Sequence, residues 1–270
     1  MGTGVALFLR RRKHNTCPPA LLTASKVDGF MILKRLFSLI IILLMLVLNT
    51  VVPAEAVSVN DLNRRIISES AILIDADTGQ ILYGKNIHKV LRPASITKVM
   101  TGLLALENGD LNDEIIATRN ALRINPEAAS IFLAVGEKVT LEQVMYAMAV
   151  VSAGDASNVI AEHIGGTVSN FIKLMNERAY ELGALNTNFI NAHGMPDPNH
   201  RTTAYDMSLI VKAAIDTPGF CEIFSTHRYD MPSTNKRDKP RIFRNLNRMM
   251  TGAYKYEGLI AGKTGWTQLF

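Results

Sequence analysis

RPASITKVMTGLLALENGDLNDEI, residues 92–115, sets a proline, a Ser-x-x-Lys tetrad and an apolar helical repeat side by side. Ile96, Val99, Met100, Leu103 and Leu104 recur at the spacing of one buried helix face, and Asn108-Gly109 supplies a stop. The helix opens after Pro93, with Ser95 in its first turn. Positions i and i+3 share a helix face, so the Ser95 hydroxyl and the Lys98 amine fall within hydrogen-bonding reach. A serine hydroxyl becomes a good nucleophile when a base takes its proton, and a neutral lysine can serve. Lysine is neutral near pH 7 only where burial or a second cation depresses its pKa. Taken alone, the tetrad equally describes two polar residues on a helix surface.

Before this helix, AILIDADTGQILYGKN alternates apolar residues around Asp77-Thr78-Gly79, the pattern of an antiparallel hairpin over 71–84. Beyond it, TLEQVMYAMAVVSAGDASNVIAEHIGG opens on a capping box, Thr140 with Gln143, breaks at Ser152-Ala153-Gly154 and resumes to Gly165-Gly166. Two further amphipathic helices are expected, one capped by Ser169 and ending near Gly183, the other stopping before Pro218. From Arg241 the chain returns to extended structure through YEGLIAGKTGWT. Strands first, helices in the middle and a strand last predict an α/β (α+β) fold, with the first and last elements paired in one antiparallel sheet flanked by helices.

The 270 residues, 48% apolar, suffice for a substantial core. The formal charge of +5 sits at the N-terminus. Residues 1–56 hold seven of the 29 Lys and Arg against two of the 24 Asp and Glu, so 22 of each remain and residues 57–270 are neutral. Nucleic acid is therefore not an expected partner. MILKRLFSLIIILLMLVLNTVVPAEA, residues 31–56, has the positive start, apolar run and Ala54-Glu55-Ala56 pattern of a cleaved secretory signal. Its apolar run, Leu36 to Leu48, is short for a membrane span, so membrane association would require an uncleaved signal segment. Residues 1–30 precede the natural start of such a signal; they are expected to be an extension outside the fold, with Met31 as the true start. Cys17 falls in the leader and Cys221 would stand alone after cleavage, so no intramolecular disulfide is expected.

Two more motifs complete the set. Lys263-Thr264-Gly265 suits a strand whose glycine lets the backbone approach a ligand while Lys and Thr bind a carboxylate. Ser152 lies in the loop between two helices. In the order Ser-x-x-Lys, interior Ser, Lys-Thr-Gly, these resemble the signature of penicillin-recognising serine enzymes. The quoted 92–115 stretch, VSAGDASNVIAEHIGG (151–166), NTNFINAHGMPDPNHRTTAYDMSLI (186–210) and YEGLIAGKTGWT (256–267) resemble the D-alanyl-D-alanine carboxypeptidases of the low-molecular-mass penicillin-binding proteins, the S11 peptidase family. The likeness runs from about 66 to 267.

The resemblance implies a β-lactamase/DD-peptidase-like fold with a mainly helical subdomain over 57–270. It implies an exported, extracytoplasmic enzyme without cofactor or metal that removes the terminal D-alanine from peptidoglycan stem peptides and is acylated by β-lactam antibiotics. Ser95 would be the nucleophile, Lys98 its base and Ser152 a proton relay. Lys263, Thr264 and Gly265 would hold the substrate carboxylate, and the N–H groups of Ser95 and Trp266 would form the oxyanion hole. Two departures stand out. The interior motif normally reads Ser-x-Asn, whereas Gly154 stands here, and the family's sheet continues beyond Lys-Thr-Gly into strands that TQLF does not supply. Two alternatives follow: a truncated or inactive relative that binds wall peptide or β-lactam without turnover, and a class A-like β-lactamase. The latter would need a Glu-x-x-Leu-Asn element, and ELGALN carries one residue too many between Glu181 and Leu185. His193 and His200 lack zinc-site spacing and are expected to be structural. The cationic run 235–248 is expected to be a solvated face.

Overall fold

The computed structural model describes residues 4–9, 37, 40, 41, 58–252, 254 and 256–266. Cys17 and nearly all of the expected signal segment lie outside the described residues. The chain divides into two compact units, residues 11–65 and a larger one formed by 1–10 with 66–270. In the smaller unit, α1 (Val59–Arg65) buries none of its side chains and carries an Arg64–Asp61 ion pair one turn apart. No helix among the described residues is long and apolar enough to cross a membrane.

The larger unit is helical at its centre. Helix α2 (Lys98–Asn108) follows a 3-10 turn at Ala94–Thr97 and ends at Gly109, as the sequence predicts. Its burial exceeds one face: every residue from Lys98 to Ala105 is buried. The helix is enclosed by α3 (Leu141–Val151), α4 (Gly154–Gly165), α5 (Val168–Glu181), α6 (Ala204–Asp216) and α7 (Phe220–Phe224). Close approach is possible because position 102 is glycine; a Cβ there would lie 2.8 Å from the Phe224 ring. The predicted capping box closes α3, with Gln143 N–H donating to Thr140 Oγ1 and Thr140 N–H to Gln143 Oε1. Helix α5 is capped by Thr167 rather than Ser169, because the Thr167 hydroxyl accepts the Asn170 N–H.

The strands form four separate antiparallel pairs among the described residues. Strands β2 (Ala71–Ile74) and β3 (Ile81–Lys85) make the predicted hairpin, turning at Gly79 with φ +74°. Strands β4 (Glu114–Ile116) and β5 (Lys138–Thr140) pair ahead of α3, and β6 (Arg228–Met231) pairs with β7 (Arg241–Arg244). The last strand, β8 (Leu259–Gly265), does not pair with the hairpin. Its partner is β1 (Gly4–Leu9), in register from Gly4 opposite Gly265 to Phe8 opposite Ala261, with a shift before Leu9 opposite Leu259. This corrects one expectation: among the described residues the first hairpin and the last strand do not share a ladder. A run of six uncharged residues, GVALFL, has the composition to satisfy an open strand edge.

The run 235–248 is not a uniformly solvated face. Strand β7 turns Arg241 and Phe243 inward and Ile242 and Arg244 outward. The inward guanidinium donates to Glu137 Oε1 at 2.7 Å, and both side chains are almost fully buried. A tether of 104 residues separates the partners, and only the tertiary fold brings them together.

Candidate active site

The turn that carries the tetrad packs against β8. The 3-10 turn and first turn of α2 carry Ser95 and Lys98, the α3–α4 junction carries Ser152, and β8 carries Lys263, Thr264 and Gly265. Lys98 Nζ lies 3.1 Å from Ser95 Oγ, the contact that the i, i+3 spacing predicts. The amine also donates to the His193 carbonyl at 2.5 Å. Lys98 is 2% exposed. Burial first, and the Lys263 charge second, hold its pKa well below the ordinary lysine value, with Asp155 opposing. Lys263 is equally buried and is pushed down to about 7 by burial alone. Its Nζ donates to the Thr264 carbonyl at 2.8 Å.

Strain collects around these residues. Ala94 has φ +48° and Ser152 φ +62°, left-handed conformations that non-glycine residues rarely adopt. Ser152 ends α3, and its hydroxyl is buried without a hydrogen-bond partner. Ala94 is held by a relay of side chains. His200 Nδ1 accepts the Ile190 N–H, so the neutral ring carries its proton on Nε2 and donates to Thr97 Oγ1 at 2.8 Å. Thr97 in turn donates to the Ala94 carbonyl at 2.7 Å. Burial pushes the His200 pKa down to about 4 and that of His193 to about 3. Both histidines are thus neutral hydrogen-bonding members of the fold at neutral pH. The described residues contain no group of three or more His, Cys, Asp or Glu able to hold a metal ion.

Gly265 packs closely, though against protein. A Cβ there would sit 3.1 Å from Ile96 Cγ1 and 3.2 Å from the Pro93 carbonyl, so the glycine lets β8 lie on the turn that presents Ser95. Gly154 is enclosed too: its added Cβ would meet Ala128 Cβ at 3.2 Å, the Ala129 carbonyl at 3.3 Å and His193 Cβ at 3.7 Å. Trp266 follows β8 with its side chain 60% exposed.

Asp155 was not singled out by motif. Its carboxylate accepts Ser130 Oγ–H and the N–H groups of Ile131, Leu133 and Ala156, tying the 130–133 loop to the start of α4. Asn191 lies two residues before His193 in the 186–210 stretch. It organises the loop whose carbonyl reaches Lys98. The signal available in sequence was the clustering of Asn191, His193 and Gly194; its meaning depends on a contact between positions 95 residues apart.

Residues 55–269 match the family model described as D-alanyl-D-alanine carboxypeptidase, Peptidase S11. D-alanyl-D-alanine carboxypeptidase DacF of Bacillus subtilis is 35% identical over 205 residues, covering 74% of this chain and 51% of that protein. DacA of Haemophilus influenzae is 31% identical, covering 74% and 54%. This chain thus spans about half the length of these two relatives. Among solved structures, a D-alanyl-D-alanine carboxypeptidase of Mycobacterium tuberculosis superposes with a TM-score of 0.67 at 29% identity, covering 74% of this chain and 73% of that one. A serine-to-alanine mutant of Streptomyces K15 DD-transpeptidase gives 0.69 at 25% identity, covering 74% and 81%. The penicillin-binding fold, the family match and the antiparallel strands around a helical centre agree, and the chain belongs to the D-alanyl-D-alanine carboxypeptidase family, Peptidase S11.

Proposed function

We propose that this chain is a serine D-alanyl-D-alanine carboxypeptidase that trims the terminal D-alanine from peptidoglycan stem peptides through an acyl-enzyme on Ser95. The observation that carries this reading is the 3.1 Å contact between Ser95 Oγ and a buried Lys98 amine whose pKa is depressed. A neutral amine takes the hydroxyl proton as Oγ adds to the carbonyl carbon of the D-Ala–D-Ala bond. The oxyanion that forms is held by the N–H groups of Ser95 and Trp266. The proton held by Lys98 is relayed through the Ser152 hydroxyl to the departing amine nitrogen, which restores the neutral amine; the C–N bond breaks and D-alanine leaves. Water then adds to the acyl-Ser95 ester as Lys98 takes its proton; the acyl C–Oγ bond breaks, the proton returns from Lys98 to Ser95 Oγ, and the shortened peptide leaves as a carboxylic acid. Lys263 and Thr264 receive the substrate's terminal carboxylate. At a pKa of about 7, Lys263 is partly charged near neutrality, and a bound carboxylate draws it further toward the ammonium form.

The 31–56 segment supports export, which places the reaction outside the cytoplasmic membrane where stem peptides are found. β-Lactams, which present a reactive amide with a carboxylate, are expected to acylate the same serine. Gly154 favours one second reading, a protein that is acylated but turns over peptide slowly, because it stands where the family's interior motif carries an Asn side-chain amide. The test is labelling with a fluorescent penicillin alongside D-alanine release from a pentapeptide. The expected result is covalent label and D-alanine release in the intact protein, and neither in Ser95→Ala. Label without release would select the slow-turnover reading. Absence of label in folded protein would reject Ser95 as the nucleophile.

A further inference from the structure

Lys98 needs more than proximity to Ser95. A neutral amine has one lone pair and two N–H bonds, and only the lone pair can receive the serine proton. A carbonyl oxygen can only accept, so the 2.5 Å contact to His193 commits one N–H of Lys98 to that direction and limits where its lone pair can point. The amine's orientation therefore depends on where the His193 carbonyl is held.

That carbonyl belongs to a tightly braced turn. Asn191 Oδ1 accepts the N–H of Gly194 at 2.6 Å and of His193 at 3.3 Å, and Asn191 Nδ2 donates to the Met195 carbonyl at 2.9 Å. One side chain thus spans the turn on both sides of His193. Thr101, one helical turn beyond Lys98 on α2, donates to the Ala192 carbonyl at 2.7 Å and ties the turn to the helix that bears the base. Gly194, with φ +84°, presses against the Ala94–Ser95 peptide. Gly154 adjoins the same turn: a Cβ on it would stand 3.7 Å from His193 Cβ.

We propose that Asn191 is a positioning residue for Lys98, acting through the main-chain carbonyl of His193, which orients the amine toward Ser95. The proposal rests on the reading of Ser95 and Lys98 as nucleophile and base. Lys98 is faced by Lys263 from β8, Asp155 from α4, and His193 and His200 from the 186–203 segment; none of these charges changes when Asn191 is replaced.

The test is the second-order rate of Ser95 acylation by fluorescent penicillin as a function of pH, with the labelling end point giving the fraction of assembled sites. In Asn191→Ala the plateau rate is expected to fall roughly tenfold to a hundredfold, part of the 10² to 10⁴ that a positioned proton acceptor contributes. The acid limb is expected to move to lower pH, because an ammonium that loses a carbonyl partner deprotonates more readily. Asn191→Asp keeps the acceptor for both N–H groups and should hold the rate within a few-fold, without a downward move of the limb. Thr101→Val loosens the same turn from the other side and should move the limb in the direction of Asn191→Ala, which keeps the test alive if that variant does not fold. Unchanged rate and limb in Asn191→Ala, or a slower plateau with an unmoved limb, would overturn the proposal while leaving Ser95 as the nucleophile. An intact protein that takes no label would overturn the Ser95 reading and this inference together.

Discussion

At the scale of single residues, the site is governed by where a β-carbon can fit. Gly194 has φ +84°, and a Cβ on it would stand 1.9 Å from the Ala94 carbonyl oxygen and 2.9 Å from the Ser95 nitrogen. Those atoms are backbone and cannot rotate away, and Ala94 is already in a left-handed conformation braced by Thr97 and His200. Gly194→Ala is therefore expected to combine backbone strain with overpacking, at a cost of roughly 3 kcal/mol or more. It should also displace the Ser95 N–H. Urea denaturation should show the lost stability, and fluorescent-penicillin labelling should be largely abolished. Wild-type labelling and midpoint in this variant would mean that the 191–195 turn does not touch the nucleophile's peptide.

At the scale of elements, what could be read beforehand was whatever depends on neighbours in sequence. The 71–84 hairpin, the Thr140 capping box, the break at Ser152 and the Ser95–Lys98 contact all lie within a few residues of their causes. Long-range pairings were hidden. Nothing local marks β1 as the partner of β8, or Arg241 as a buried cation in a run that looks like a solvated face. Thr167 rather than Ser169 caps α5 because the cap position follows the Gly165-Gly166 turn, and two hydroxyls stood within reach of that decision. Arg241 shows the energetic consequence of hidden pairing. Its guanidinium and Glu137 join β7 to the segment leading into β5, while Glu137 also accepts the Ala134 N–H and the Thr234 hydroxyl. Removing one partner strands the other charge in the interior, so Glu137→Ala is expected to cost about 3–5 kcal/mol. The double variant Glu137→Ala, Arg241→Met should lose less than Glu137→Ala alone, and equal or greater loss would show that the pair is solvated rather than buried.

Across the whole molecule, the buried histidines and lysines share one property: they are more easily kept neutral in the folded chain than in the unfolded one. His193 and His200 are held at about 3 and about 4, while an unfolded histidine titrates near 6.5. As pH falls from about 6.5 to about 4, the unfolded chain binds protons that the folded chain refuses. Stability therefore drops with acidification, by up to ~1.4 kcal/mol per pH unit for each histidine. The sign is the same on the alkaline side. Lys263 is held at about 7 against an unfolded value near 10.4, and Lys98 is depressed as well, so between these limits the unfolded chain again carries more protons. Stability should keep rising from pH 7 toward pH 10, instead of levelling off as it does where carboxylates dominate. Tyr229 then reverses the trend. Burial, with Glu142 and Tyr146 nearby, raises its pKa to about 12, so above about pH 10 the folded chain retains a proton that the unfolded chain releases. Urea midpoints are accordingly expected to climb through pH 5, 7 and 9. Lys263→Met should flatten the rise between 7 and 9 while leaving the fall below 6.5 intact, because the histidines are untouched. A midpoint at pH 9 below that at pH 7 would mean that Lys263 keeps its proton in the folded protein across that range, as an exposed lysine does, and that burial does not depress it.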